Sequence, residues 1–384
     1  MLYAHIAGWG RFLPSRVLTN DEISHHVETD HEWIYSRTGI SERRVAQEET
    51  TATMAFEAAA RALARADLDP SQVELIIVAT ATPEHMFPST ASLVQDYLGA
   101  RRAGAFDLSA ACSGFVYGLS MASSAIQSGS VRNAIVIGAE RLSRVLDWSD
   151  RATCILFGDG AGAVVLKRSH VPGGILATTL RSDGSGSDML SLPNVYHNPM
   201  PFMTPEFSAN GHHHNTISMN GRQVFRFATN VVPEIIEETL GKANLTLKDV
   251  SLIIPHQANV RIVENVAKKL GVPDSLFYTN MEHVGNTSAA SIPIALSEAV
   301  KANRLRPDDI VVFVGFGGGL SWAASVVKWD VTPPDVTLLD REWKRAKYVW
   351  ARGRSQARRF MRRVEAQLRR SPNVEAVREA NRKK

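Results

Sequence analysis

Apolar positions along this chain fall into two alternating patterns. Runs such as QVELIIVAT (72–80), GAGAVVLK (160–167), DVSLIIPHQ (249–257) and SWAASVVK (321–328) are rich in Val, Ile, Leu and Ala, the composition of strands buried on both faces. Beside them, TMAFEAAARALARADL and RIVENVAKKLG repeat apolar residues at helical spacing. Strands alternating with helices predict an α/β protein whose sheets are covered on both sides. The strand runs also pair up, 72–80 with 249–257 and 160–167 with 321–328, at matching places in two halves. That is the trace of duplicated βαβαβ units. We place one half at 1–170, the second at 171–330, and an extension at 331–384.

Within the first half, AFDLSAACSGFVYGLSMASSAIQSG runs an apolar strand into a helix and leaves Cys112 at the bend. Unpaired N–H groups at a helix start favour thiolate over thiol, which makes this a place for a nucleophile. Taken alone, Cys112 reads as a small buried apolar residue. Two segments of the second half change that balance. In DVSLIIPHQANVRI a buried-type strand ends at Pro255 and presents His256, and strand ends are where sites collect in open α/β sheets. In HVGNTSAASIPIALSEAV, Gly285 and Asn286 make a turn opening a helix, with Thr287 and Ser288 placed to bond its first free amides. Cys, His and Asn together serve either acyl transfer between thioesters or peptide cleavage.

The stretches ACSGF around Cys112, PHQAN around His256, GNTSAAS around Asn286, GDGAGAVVL (158–166) and GFGGGLSWAASVV (315–327) resemble β-ketoacyl-[acyl carrier protein] synthase III of the thiolase-fold superfamily. The likeness runs from IAGWGRFLPSRVLTNDE to Lys328, and the papain-type signature around the cysteine is absent. The resemblance implies a five-layered αβαβα fold. It also implies a decarboxylative Claisen condensation of an acyl-CoA with malonyl-[acyl carrier protein] through an acyl-Cys112 intermediate. His256 and Asn286 would hydrogen-bond the malonyl thioester carbonyl as it becomes an enolate, and the backbone N–H groups of Cys112 and the Gly317–Gly319 loop, Gly319 in particular, would form an oxyanion hole. No metal or redox cofactor is expected; CoA enters as a thioester substrate.

Carried over in the same way, Trp33, Arg37 and Arg151 would hold the CoA nucleotide, Phe225 and Asn259 would line the pantetheine tunnel, and Arg226 and Arg261 would dock the carrier protein. Arg222 stands where the family commonly has asparagine. Phe87 matches an aromatic residue that reaches across a homodimer interface and caps the partner's acyl pocket, which implies a short-chain primer. Two other readings stay open: a specialised acyltransferase or ketosynthase of a secondary pathway, and a vestigial body acting through its basic tail.

Composition agrees. With 384 residues, 44% of them hydrophobic, the chain can bury a large core. Cys112 and Cys154 are the only cysteines, which argues against a disulfide framework. MLYAHIAGWGRFLP leads straight into strand-like sequence and no run of about 18 apolar residues occurs, so a cytoplasmic protein is expected. Two stretches exceed the family outline. The loop with His212, His213 and His214 lacks a carboxylate or cysteine at ligand spacing, and we expect a solvated rim near the CoA entrance. Residues 331–384 carry 16 Lys or Arg against 6 Asp or Glu, whereas the chain overall has 43 against 39. After TPPD (332–335), Ala357, Phe360, Met361, Val364 and Leu368 recur at helical spacing, and Trp343 and Trp350 fit an earlier helix broken near Gly353. A basic amphipathic helix suits an acidic protein, a membrane surface or its own chain; no specific nucleic acid is expected.

Overall fold

The computed structural model describes residues 1–193 and 216–330, with 353, 354, 357, 360–362, 364 and 365 of the extension. The chain order of the main elements is β1 (Tyr3–Phe12), α1 (His31–Thr38), α2 (Thr51–Ala66), β2 (Leu75–Ala79), α3 (Thr90–Leu98), β3 (Gly104–Leu108), α4 (Gly114–Gln127), β4 (Asn133–Arg141) and β5 (Asp159–Ser169). There follow β6 (Gly174–Ser182), α5 (Gly221–Lys242), β7 (Val250–Pro255), α6 (Val260–Leu270), α7 (Ser291–Lys301), β8 (Asp309–Gly317) and β9 (Ser321–Trp329). The first sheet has the order β1-β5-β4-β2-β3 and the second β7-β8-β9-β6. The first sheet has two parallel pairs, β2 with β3 and β2 with β4, and the second has one, β7 with β8; the other neighbours are antiparallel. Superposed by topology, β2 matches β7 and β5 matches β9, the two pairs read from the sequence. A counterpart of β3 survives only as a parallel bridge between Ile253 and Phe277.

Alternation along the strands builds the layers. Ile76 and Val78 face the outer helices α2 and α3, while Ile77 faces inward. Val312 and Val314 face α5 and α6, while Val311 and Phe313 face inward. Between the sheets lie α4 and α7, whose Phe115, Leu119, Ile126, Ile292 and Leu296 belong to one core with both inner faces. The result is the five-layered αβαβα arrangement. Fully burying such a side chain contributes roughly 1.5–3 kcal/mol. Phe115 of α4 meets Phe313 of β8 edge to face at 6.4 Å, so a charge at Phe115 would break the seam between the halves.

Two glycines let that central layer approach the sheets. A Cβ on Gly138 in β4 would lie 2.0 Å from the carbonyl oxygen of Ala289. One on Gly315 in β8 would lie 2.9 Å from Cα of Ser113. Each glycine thus receives the turn that starts the other half's buried helix.

Among the described residues, no helix is long and apolar enough to cross a membrane. In the extension all the described residues are helical, including Gly353, where a break was expected nearby. Phe360 and Met361 are exposed. Trp343, Trp350, Leu368 and the His212–His214 loop lie outside the described residues.

Candidate active site

Cys112 sits where β3 hands over to α4. The backbone passes through a left-handed Ala111 (φ +45°) into a short turn, Ala111–Ser113, and α4 begins at Gly114 with no side-chain cap. The Ser113 hydroxyl lies 2.8 Å from that of Ser321, and Ser321 donates to the carbonyls of Ala110 and Gly318. These bonds tie the cysteine turn to the glycine loop after β8. A Cβ on Gly317 would stand 2.9 Å from the Cys112 nitrogen and 3.1 Å from Sγ, so only glycine leaves room for the sulfur.

His256 follows β7 directly, its N–H donating to Val314 at 2.7 Å, and its ring stands edge-on to Phe316 at 5.2 Å. Nδ1 is 2.8 Å from the Ser291 hydroxyl, which also lies 2.7 Å from the Ser288 carbonyl. One hydroxyl proton thus has two acceptors within reach. When it goes to Nδ1, the imidazole presents Nε2–H to the cavity.

Asn286 was expected to begin a helix with Thr287 and Ser288 bonding the free amides. The bonding runs the other way: Asn286 Oδ1 accepts from the Ser288 N–H at 2.9 Å, a turn at Ser288–Ala290 intervenes, and α7 starts at Ser291. With its oxygen engaged, Asn286 keeps its NH2 group as a donor.

Cys112, His256 and Asn286 converge on one cavity of about 260 Å³. Its walls include Trp33, Arg37, Phe225, Asn259, Arg261, Phe316 and Gly317. Sequence reasoning missed the apolar wall of Ile155, Leu156 and Phe157, which reads as an ordinary buried run. Asn259 caps α6 through the Arg261 N–H at 2.9 Å and donates to the Arg37 carbonyl at 3.0 Å, fixing the mouth. Trp33 has the Arg37 and Arg151 guanidinium groups 4.5 and 4.6 Å from its ring centre. Arg151 reaches the cavity through that stack rather than by lining it. A wider recess beside the mouth is lined by Arg222, Arg226 and Arg261. Gly319 faces Ser321 instead of the cavity, and Phe87 is 88% exposed, away from it.

Electrostatics correct one expectation. Burial pushes the Cys112 thiol up to about 12, opposed by a hydrogen bond from Ser288 and assisted by the charge of Glu140. A helix end contributes at most about 2 kcal/mol, and here burial outweighs it. Burial also drives His256 down to about 3. The resting pair is therefore a neutral thiol and a neutral imidazole.

Two family models match the chain: 3-oxoacyl-[acyl-carrier-protein (ACP)] synthase III over 106–184, and the C-terminal part of the same family over 240–329. A β-ketoacyl-[acyl-carrier-protein] synthase III of Clostridium perfringens (strain SM101 / Type A) is 47% identical over 325 residues, covering 85% of this chain and 99% of that relative. The crystal structure of 3-oxoacyl-[acyl-carrier-protein] synthase III from Aquifex aeolicus VF5 is similar with a TM-score of 0.79 at 46% identity, covering 85% of this chain and 99% of that one. The priming β-ketosynthase of the R1128 polyketide biosynthetic pathway follows at 0.78 and 36% identity, covering 86% and 97%.

Proposed function

The chain belongs to the 3-oxoacyl-[acyl-carrier-protein] synthase III family, and from that premise we propose how its cavity joins an acyl-CoA primer to malonyl-[acyl carrier protein]. Cys112 Sγ attacks the acyl-CoA thioester, CoA departs as the free thiol carrying the proton the cysteine gives up, and the acyl group stays on sulfur. Malonyl-[acyl carrier protein] then enters the same mouth and loses carbon dioxide. His256 Nε2–H and the Asn286 NH2 group stabilise the enolate oxygen, and the enolate attacks the acyl thioester, leaving as a β-ketoacyl-[acyl carrier protein]. The backbone N–H group of Cys112, which lines the cavity, serves the tetrahedral oxyanion. The scheme uses no metal or redox cofactor.

The single observation that carries this reading is the meeting of a thiol, an imidazole and a carboxamide on one cavity. Its wall of Ile155, Leu156 and Phe157 suits an alkyl chain and its mouth carries guanidinium groups for phosphate. Intact-protein mass spectrometry tests it: acetyl-CoA should add one acetyl group at Cys112, and malonyl carrier should discharge it. No adduct would refute the reading.

Phe87, exposed on its own chain, fits the acyl pocket of a second copy in a homodimer and favours a short primer. Fastest turnover with long acyl-CoAs would remove that assignment. The recess with Arg222, Arg226 and Arg261 fits an acidic carrier, and the basic extension, beyond the span the relatives share, adds to the same attraction or meets a membrane surface. Truncation after Asp330 should raise the malonyl-carrier KM at low salt; an unchanged KM excludes the carrier role. The likeness to a priming ketosynthase of polyketide assembly supports a secondary pathway as the alternative, separable by the carrier each enzyme prefers.

A further inference from the structure

The strip that lines the cavity at Ile155, Leu156 and Phe157 also carries the backbone of Asn286. The Asn286 N–H donates to the Leu156 carbonyl at 2.9 Å, and the Asn286 carbonyl accepts from the Gly158 N–H at 2.9 Å. Phe157 and Asn286 thus form a parallel bridge, a pairing one residue long that fixes the backbone from which the carboxamide projects. A shift of the strip would move that carboxamide with it.

Behind the strip lies a cation that the scheme above does not use. Arg43 belongs to the short strand Glu42–Arg44, which pairs with Val17–Thr19, and its side chain is fully buried. Its guanidinium forks. Nη2 donates to the Ile155 carbonyl at 2.5 Å, while Nη1 donates to Asn20 Oδ1 at 2.8 Å and to the Leu18 carbonyl at 3.2 Å. Asn20, also buried, is anchored in turn by donating Nδ2 to the Ile40 carbonyl at 2.7 Å. Burial lowers Arg43 to about 10, which still leaves it ionised at neutral pH. A cation held in a core by neutral oxygens is costly, so the arrangement points to a role beyond filling space.

Two glycines make room for its stem. A Cβ on Gly285, where φ is +71°, would lie 2.9 Å from the Arg43 Cβ and 3.1 Å from the Leu156 carbonyl oxygen, and one on Gly158 would lie 3.2 Å from the same Arg43 Cβ. Gly285 precedes Asn286, and Gly158 follows its bridge partner. Arg43 therefore packs against both sides of the bridge and grips the peptide next to the one that holds Asn286.

We propose that Arg43 is a positioning residue for the decarboxylation step: reaching from its anchor at Asn20 to the Ile155 carbonyl, it sets the strip against Asn286 and so aims the carboxamide at the enolate oxygen. Arg43 never meets substrate. Its planar fork spans the two anchorages at once, which the single ammonium of a lysine does not.

This inference rests on the proposed role of Asn286, and the test separates the two. Carbon dioxide release from malonyl carrier and acetylation of Cys112 by saturating acetyl-CoA are timed separately by rapid mixing. Arg43→Lys keeps the charge but loses the fork, and should lower the decarboxylation kcat by about 10- to 100-fold with KM unchanged, the loss expected of a donor displaced by about 1 Å. Acetylation should be nearly unchanged. In an Asn286→Ala background, itself slowed by about 100-fold or more, Arg43→Lys should slow decarboxylation no further, because the donor that it aims is gone. Equal slowing of both half-reactions, or the full Arg43→Lys loss persisting in the Asn286→Ala background, would overturn the inference and leave the proposed function standing. Asn286→Ala that releases carbon dioxide at the wild-type rate would defeat the enolate assignment itself. Should Arg43→Lys fail to fold, Asn20→Ala takes its place, with the same selective loss expected at about 10-fold. Equal losses in the two half-reactions, or failure of both variants to fold, would overturn the inference, since Arg43 would then serve the fold and not the step.

Discussion

The turns that open the two buried helices are the same piece of backbone put to different uses. Ala111–Ser113 precedes α4 and Ser288–Ala290 precedes α7. Each begins with a left-handed residue that is not glycine, Ala111 at +45° and Ser288 at +47°, and each lies on a glycine of the opposite sheet, Gly315 or Gly138. Two residues after that glycine the halves part. In the second half the position is Gly317, which leaves room for sulfur. In the first it is Glu140, fully buried and bonded to the Thr82 hydroxyl and the Ala81 N–H. Duplication supplied a turn and a strand end twice; the chemistry arose from making the paired positions unlike.

Substitutions at matched positions can break that comparison. The largest effect is expected at Gly138→Val, because even a Cβ there meets the Ala289 backbone. Urea unfolding should show a loss of about 3 kcal/mol or more, if the protein accumulates at all. Gly317→Ala should keep the fold and fail in chemistry, with acetylation of Cys112 down by about 100-fold, since the new methyl takes the space beside sulfur. If both variants are merely unstable, the division between structural and chemical glycines is wrong.

A titration then sharpens the contrast between two of the buried ionisable groups, one in each half. His256 is depressed to about 3, so the unfolded chain binds its proton first, and stability from this group falls as pH drops from about 6.5 toward 3. Glu140 is raised to about 6, so the folded chain binds its proton first, and stability rises as pH drops from about 6 to 4.5. The two oppose each other near pH 5. Removing the second by Glu140→Gln should steepen the acid-side loss by about 2 kcal/mol between pH 7 and 4.5, read from urea midpoints. Smallest of all, Ala111→Gly should change stability by less than about 1 kcal/mol, because relief of the left-handed backbone offsets the added freedom of the unfolded chain.

Much of this was legible in the chain. Val, Ile and Leu runs located β2 and β7, and ACSGF, PHQAN and GNTSAAS marked the three side chains that share the cavity. The missing counterpart of β3 could not be read, since its remnant is one bridge at Phe277. Nor could the state of the thiol, because a helix start is a local pattern whereas burial is supplied by both halves. Glu140 was hidden for a related reason: a glutamate near the end of NAIVIGAER looks like the solvated tip of a strand, and only the fold buries it under the hydroxyls of Thr80 and Thr82. Alanine at 111 gave no hint of a left-handed backbone.

The reciprocal seating of each turn on the other half's glycine has a thermodynamic corollary. Neither sheet can melt while its neighbour persists, since loosening either one withdraws a wall from the other's buried helix. Calorimetry should therefore record one endotherm whose van't Hoff and measured enthalpies coincide for each chain, although the architecture is visibly double.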